Sequence, residues 1–245
     1  MSKKALSFVV FFLSLVFIAG SFTYPVYSCD SANTLPKGKS SVEVDWERIR
    51  YRNGDLDIYN HNYFYYGITD NLQLKLVQPF LNQQNAATGA IYNGRADTTL
   101  QFNYRFQNET KTRPGLAVEL YTDFNNARDL PSAAGHGDYG ITFVMSKNFT
   151  DKFEGEFNLC HQINTPTHIN QINYESALQT KITDNILLRC EYRGKAFMNN
   201  TNWSELYLFP GFQFNEHIYF APKYVVGLND DSPKNHYILD LVINF

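Results

Sequence analysis

Beyond residue 22 the chain has no long hydrophobic run, and no stretch of ten or more residues there repeats with a helical period near 3.6. That lack excludes a helical membrane domain and a helix bundle. Cysteine is scarce as well: Cys29, Cys160 and Cys190 are an odd set, too few for a disulfide-stapled scaffold. Cys160 and Cys190 fall in segments read below as second-neighbour strands facing opposite ways, so both are expected as small buried residues without a disulfide. Charge is thin too. Only 18% of residues are charged and the formal balance is −3, so there is no basic surplus to hold a nucleic acid. What the chain has instead is rings: 20 Phe and 17 Tyr bring aromatics to 16%, while mean hydropathy stays at −0.36. Rings and polar groups must therefore alternate finely along the chain.

The first residues are of a different kind. Lys3 and Lys4 precede an apolar run from Ala5 to about Phe22 and then a stretch with Pro25, the order of a secretory signal peptide. Val26 and Ser28 suit the positions before a cut at Cys29, and Gly20 marks a second candidate cut. Val26-Tyr27-Ser28-Cys29 also resembles a lipoprotein box in which Cys29 would be acylated, although Tyr27 fits that box poorly. Residues 1–28 are read as signal peptide, 29–40 as a periplasmic N-terminal segment and 41–245 as one domain without a linker. Losing Lys3 and Lys4, with no acid, moves the formal charge from −3 to −5.

The remaining sequence alternates with a period near two about a dozen times. From Ala96 to Phe106, small or apolar Ala96, Thr98, Leu100, Phe102, Tyr104 and Phe106 alternate with Asp97, Gln101, Asn103 and Arg105. Phe153, Phe157 and Leu159 alternate with Glu154, Glu156 and Asn158, and Ile186, Leu188, Cys190 and Tyr192 with Arg189, Glu191 and Arg193. At the C-terminal end Tyr237, Leu239, Leu241, Ile243 and Phe245 share one face, opposite Asp240 and Asn244. Lipid on one side and water on the other rewards that pattern. The spacing predicts strands over 41–52, 56–68, 72–81, 96–106, 116–125, 138–147, 153–162, 171–182, 186–195, 204–214, 217–227 and 236–245. The fold class is therefore all-β: a transmembrane antiparallel up-and-down β-barrel of about 12 strands, with 10 as the alternative even count. Residues 56–68 and 72–81 each call for a bulge or register break, the second around Gln78-Pro79.

Connections of two lengths alternate. Thr69-Asp70-Asn71, Thr150-Asp151-Lys152, Thr183-Asp184-Asn185 and Asn215-Glu216-His217 are tight turns in which Asp or Asn can bond its own backbone. Between them run longer polar stretches near 82–95, 126–137, 163–170, 195–203 and 228–235. Two connections depart from the rule, a longish turn at 107–115 and a short Asn53-Gly54-Asp55. In outer-membrane barrels short turns face the periplasm and long loops face outside, which places both chain ends on the periplasmic side.

Five segments carry a family resemblance: Leu35-Pro-Lys-Gly-Lys39, Tyr66-Gly-Ile-Thr-Asp-Asn-Leu-Gln-Leu74, Arg113-Pro-Gly-Leu-Ala117, Lys147-Asn-Phe-Thr-Asp-Lys152 and Leu208-Phe-Pro-Gly-Phe-Gln-Phe214. In this order they resemble the outer-membrane transporter family labelled MetA-pathway of phenol degradation. The resemblance implies an outer-membrane barrel tied by name to the passage of aromatic or other small compounds. The departures are Asn93-Gly-Arg-Ala-Asp97, where the family has a Gly-rich approach to the fourth strand, and the loop Leu130-Pro-Ser-Ala-Ala-Gly-His136.

With Phe245 taken as lipid-facing, parity turns Glu43, Asp45, Glu47, Arg105, Glu119, Asp123, Glu154, Glu156, Glu175, Lys181, Arg189, Glu191, Arg193, Lys223 and Asp240 inward. The basic members crowd onto the eighth, ninth and eleventh strands and the acidic ones onto the first, fifth and seventh, a transverse separation that would orient a dipolar solute. The alternative is cross-strand pairing that fills a narrow barrel. The lumen candidates are Arg189, Arg193, Glu191, Arg105, Glu154, Glu156, Lys223 and Asp240, with Arg189 and Arg193 foremost because Arg offers a rigid donor fork. None of His61, His136, His161, His168, His217 and His236 stands two residues before a serine, as the barrel lipid hydrolases require, and His161 and His168 have no third ligand in view. No cofactor or metal is expected. The loops are short, with no apolar cluster beyond Phe197 and Trp203 for a large docking platform. The expected function is an outer-membrane channel for passive diffusion of small solutes, aromatic or organic-acid compounds among them. The alternatives are a structural or adhesive barrel and, third, a lipid hydrolase. Expected partners are outer-membrane lipid, a small-molecule solute and the barrel-assembly machinery, met through Phe245, Ile243, Leu241 and Tyr237.

Overall fold

In lipid a backbone N–H or C=O has no water to bond, so strands that cross a membrane must pair on both sides and the sheet must close. The computed structural model describes residues 31–128, 138–164, 169–197 and 202–245. The leader, Cys29, His136 and His168 lie outside the described residues. The strands are β1 (Ser40–Arg50), β2 (Leu56–Thr69), β3 (Leu72–Gln84), β4 (Ile91–Arg95), β5 (Thr98–Gln107), β6 (Gly115–Phe124), β7 (Tyr139–Thr150), β8 (Phe153–Asn164), β9 (Ile169–Lys181), β10 (Ile186–Phe197), β11 (Asn202–Gln213), β12 (Ile218–Gly227) and β13 (Asn235–Asn244). Each pairs antiparallel with its sequence neighbour, apart from the split at β4 and β5, and β13 closes on β1 with Val42 opposite Ile243 and Trp46 opposite Leu239.

β4 and β5 are two pieces of one stave, because β3 pairs with β5 through Leu72–Val77 and with β4 through Phe80–Gln84. The barrel thus has twelve staves, as the alternation predicts. The expected break at Gln78-Pro79 is where β3 changes partner. Its cause lies across the ladder: Ala96 donates its N–H to Pro79 O, and Asp97 Oδ1 accepts the N–H groups of Asn126 and Ala127 at 2.7 Å each. The sequence predicts a long polar connection over 82–95, whereas β3 and β4 extend the hairpin to Gln84 and Ile91. Polar cross-strand pairs such as Asn82 and Asn93 sustain it there, where the apolar alternation has already ended.

The repeated tight turns close by a device that composition only half indicates. In three of them a Thr hydroxyl, not the following Asp, accepts the N–H two residues on: Thr69 from Asn71, Thr150 from Lys152 and Thr183 from Asn185, at 3.2 to 3.3 Å. The fourth uses Asn215 Oδ1, which accepts from His217 N at 2.8 Å.

Outside, Phe64, Tyr66, Phe102, Phe106, Leu120, Tyr237, Leu239 and Leu241 are exposed and form the lipid-facing belt with Phe245. Inside, Glu43, Asn103, Glu119, Asn158, Arg189, Glu191, Lys223 and Asp240 are buried. A barrel this polar within and apolar without is a soluble protein inverted.

Residues 31–39 do not trail away from the barrel. Ala32 is fully buried against Ala117 of β6 and Val144 of β7, inside the short-turn end. Leu35 N donates to Gln73 Oε1 at 2.8 Å, Thr34 Oγ1 to Asp70 O at 2.7 Å, and Gly38 N to Gly67 O at 2.8 Å. Gly67 is required by that contact, since a Cβ there would lie 2.2 Å from Pro36 O. Gly67→Ala is therefore expected to lower barrel stability by about 1–3 kcal/mol and to expose residues 31–39 to protease. Limited proteolysis of the folded variant checks this; wild-type protection would show that the segment is held elsewhere.

Candidate solute pathway

The inward side chains of a β-barrel are the only groups a solute in the lumen can meet, so strand parity decides the chemistry of any path. Here the interior holds two chambers with a layer of buried charge between them. At the long-loop end a cavity of about 670 Å³ is lined by Tyr59, His61, Asp123, Arg193, Lys195 and Trp203, among others. At the short-turn end a cavity of about 530 Å³ is bounded by Asn33, Leu35, Pro36, Arg105, Glu216 and Phe245. A further recess of about 370 Å³ at the long-loop mouth collects Asp55, Asp57, Asp230 and Asp231 around Arg52. Beside it Tyr51, just past β1, donates its hydroxyl to Asp57 Oδ2 at 3.1 Å. Burial and that carboxylate push the phenol well above its ordinary value, so it stays a donor.

The layer between the chambers is built from adjacent strands. Arg189 of β10 is fully buried and reaches Glu156 of β8 and Glu191 of its own strand at 2.5 Å each, and Gln179 of β9 at 3.0 Å. Gln179 in turn donates to Glu154 at 2.5 Å. Two staves along from β10, Lys223 of β12 lies 3.1 Å from Asp240 of β13. Glu43, Asp45 and Asp240 each bring an oxygen to within 4.8 Å of the others, and the Tyr65 hydroxyl donates to Glu43 at 2.6 Å. An all-oxygen trio suits a hard cation, but Lys223 already supplies the positive charge beside it.

The expected separation of basic from acidic strands is not what the lumen shows. Both Arg189 and Lys223 touch carboxylates, because a charge held dry and unpartnered would cost several kcal/mol. The structure brings Arg189, Glu191, Glu154, Glu156, Lys223 and Asp240 into the layer. Arg193 sits above it, between Glu175 at 3.6 Å and Glu191 at 3.5 Å, with its guanidinium 4.4 Å from the centre of the Tyr207 ring. Arg105 lies apart at the short-turn rim, donating to Asp70 O at 2.6 Å and to Asn71 Oδ1. Tyr237, Leu241 and Phe245 are on the outer face, with Ile243 half-buried beside them.

Two features escaped the sequence reading. His236 stands between two carboxylates, Nε2 2.5 Å from Glu47 and Nδ1 3.2 Å from Glu205, while Glu47 also meets His61 at 3.0 Å. The parity that turns Asp240 inward does the same for His236, so this signal was present. The other is a ladder on the inner face of β2, where Tyr59, His61, Tyr63 and Tyr65 stack with ring centres 5.1, 5.9 and 6.2 Å apart. Its polar rings alternate with Asn60, Asn62 and Phe64, which blurs the inside-outside contrast.

The sequence profile of the MetA-pathway of phenol degradation family matches residues 27–233. No curated protein matches the sequence. Among solved structures, an outer membrane channel from Pseudomonas putida F1 superposes with a TM-score of 0.67 at 13% identity, over 91% of this chain and 100% of that one. The NanC porin gives 0.59 at 10% identity, over 84% and 98%, and the KdgM porin 0.56 at 7%, over 83% and 99%. At such identities the likeness is one of fold.

Arg189→Met, which keeps length and removes the charge, should cost about 3–5 kcal/mol by orphaning Glu156 and Glu191. Adding Glu156→Gln and Glu191→Gln should recover most of that loss in urea unfolding from lipid vesicles; a single variant as stable as wild type would mean the layer is not held by these pairs.

Proposed function

The chain belongs to the MetA-pathway of phenol degradation family and folds as a twelve-stave outer-membrane barrel, and from that premise we propose that it is a channel for passive diffusion of small solutes. The observation that carries this reading is the pair of chambers, about 670 and 530 Å³, opening toward opposite ends of one lumen and parted by the buried charged side chains. A barrel serving only as scaffold has no need of two such spaces. Polar side chains dominate the lining of the long-loop chamber and share that of the short-turn chamber with Leu35, Pro36 and Phe245, which leaves room for hydrated molecules and for small apolar ones.

The layer sets the size limit. Its members are side chains held by ion pairs between neighbouring strands, so the gap they leave, and not the backbone, limits what passes. Residues 31–36 narrow the short-turn end further, since they bound the chamber there.

Liposomes carrying the refolded protein should swell in isosmotic small neutral solutes and stop swelling as solute size rises. Lack of swelling with every solute, in vesicles that contain correctly folded barrel, would contradict the channel reading.

A further inference from the structure

A lumen selects by the charge that its walls leave uncancelled. Among the described residues, the long-loop vestibule is lined by six carboxylates: Glu47, Glu119, Asp123, Glu175, Glu205 and Asp231. Against them stand two permanent cations and two histidines, and these are already engaged. Arg193 lies between Glu175 and Glu191, and Lys195 Nζ is 4.8 Å from the centre of the Trp203 ring. His236 is held between Glu47 and Glu205, and His61 meets Glu47. Even with both histidines counted as charged, the carboxylates outnumber the cations.

The surplus has a location. On the wall formed by β5 to β7, Asp123 accepts from the Thr99 hydroxyl, and Asp138, just before β7 and not one of those six, accepts from Gln162 Nε2 at 2.8 Å. Among the described residues, neither is joined to a basic side chain by an ion pair. At the floor, Asn158 of β8 is 4% exposed and faces the cavity, and its Oδ1 has no hydrogen-bond partner. Asn158 is the register partner of Glu175 on β9, so a bare acceptor sits beside a carboxylate. A buried acceptor without a donor costs about 1–3 kcal/mol, and an incoming N–H would relieve it. The mouth adds Asp55, Asp57 and Asp230, with Arg52 tied to the carbonyls of Asn229 and Ser232.

We propose that the vestibule is a subsite for cationic solutes, small organic ammonium or guanidinium compounds, whose N–H donors are received by Asn158, Glu119, Glu175 and Asp123. This rests on the channel reading and gives it a substrate class, one opposite in sign to the organic acids that the sequence suggests.

The test is reversal potential across a planar bilayer holding the refolded full barrel at low ionic strength. In asymmetric KCl, K⁺ should be preferred over Cl⁻ by at least about threefold. Replacing K⁺ by benzylammonium on one side should leave much of the cation current, whereas benzoate in place of Cl⁻ should carry little. Asp123→Asn with Glu119→Gln should bring the preference down by about half or more, and Asn158→Leu should reduce benzylammonium permeation about twofold or more. These replacements are conservative in size, and heat-modified gel mobility verifies that each variant is folded. Conductance with no cation preference, or a preference untouched by the variants, overturns this inference alone. A silent bilayer overturns the channel reading and this inference with it.

Discussion

Closure of the sheet between β1 and β13 is the constraint from which the rest follows. In the hydrocarbon region an unpaired strand edge has no solvent to satisfy it, so the ladder from Ser41 opposite Asn244 to Arg50 opposite Asn235 removes the last two edges at once. Closure fixes parity. Trp46 and Leu239 must then face lipid, while Glu43, Asp45 and Asp240 must face each other inside. The charged layer is thus a consequence of closing a narrow barrel whose strands carry acids on the inner face.

Burial then imposes its own order on those charges. Arg189 is surrounded by Glu156, Glu191 and Gln179, and Lys223 by Asp240, because each cation inside the barrel must be met within hydrogen-bond reach. Where the lumen widens into a vestibule, water relieves that demand, and carboxylates such as Asp123 persist without a basic partner in contact. Rigidity in the middle and uncancelled charge at the mouth are two outcomes of one rule applied at different depths.

Much of this was legible in the sequence because a period of two survives in most strands. The count of twelve staves follows from the alternation, and the tight turns near residues 70, 151, 184 and 216 from their Thr, Asp and Asn content. The β3–β4 hairpin was not legible, since it extends past the apolar alternation on amide pairs such as Asn82 with Asn93. Parity named Arg189, Lys223 and Asp240 as inward but says nothing of which partner each meets, a matter of stagger between strands. Hence the expected segregation of charge gave way to pairing. The fold of residues 31–39 into the short-turn end was equally out of reach, because Ala32 carries no pattern that distinguishes a buried alanine from an exposed one.

On the proposed path solutes travel through the lumen, and the charged layer is its narrowest point. Single-channel recording of the Lys223→Ala, Asp240→Ala double variant tests this, because removing both partners of that ion pair trims the layer while the Tyr65 hydroxyl still donates to Glu43. Conductance steps larger than those of the wild-type barrel are expected. Steps of unchanged size in the folded variant would contradict it.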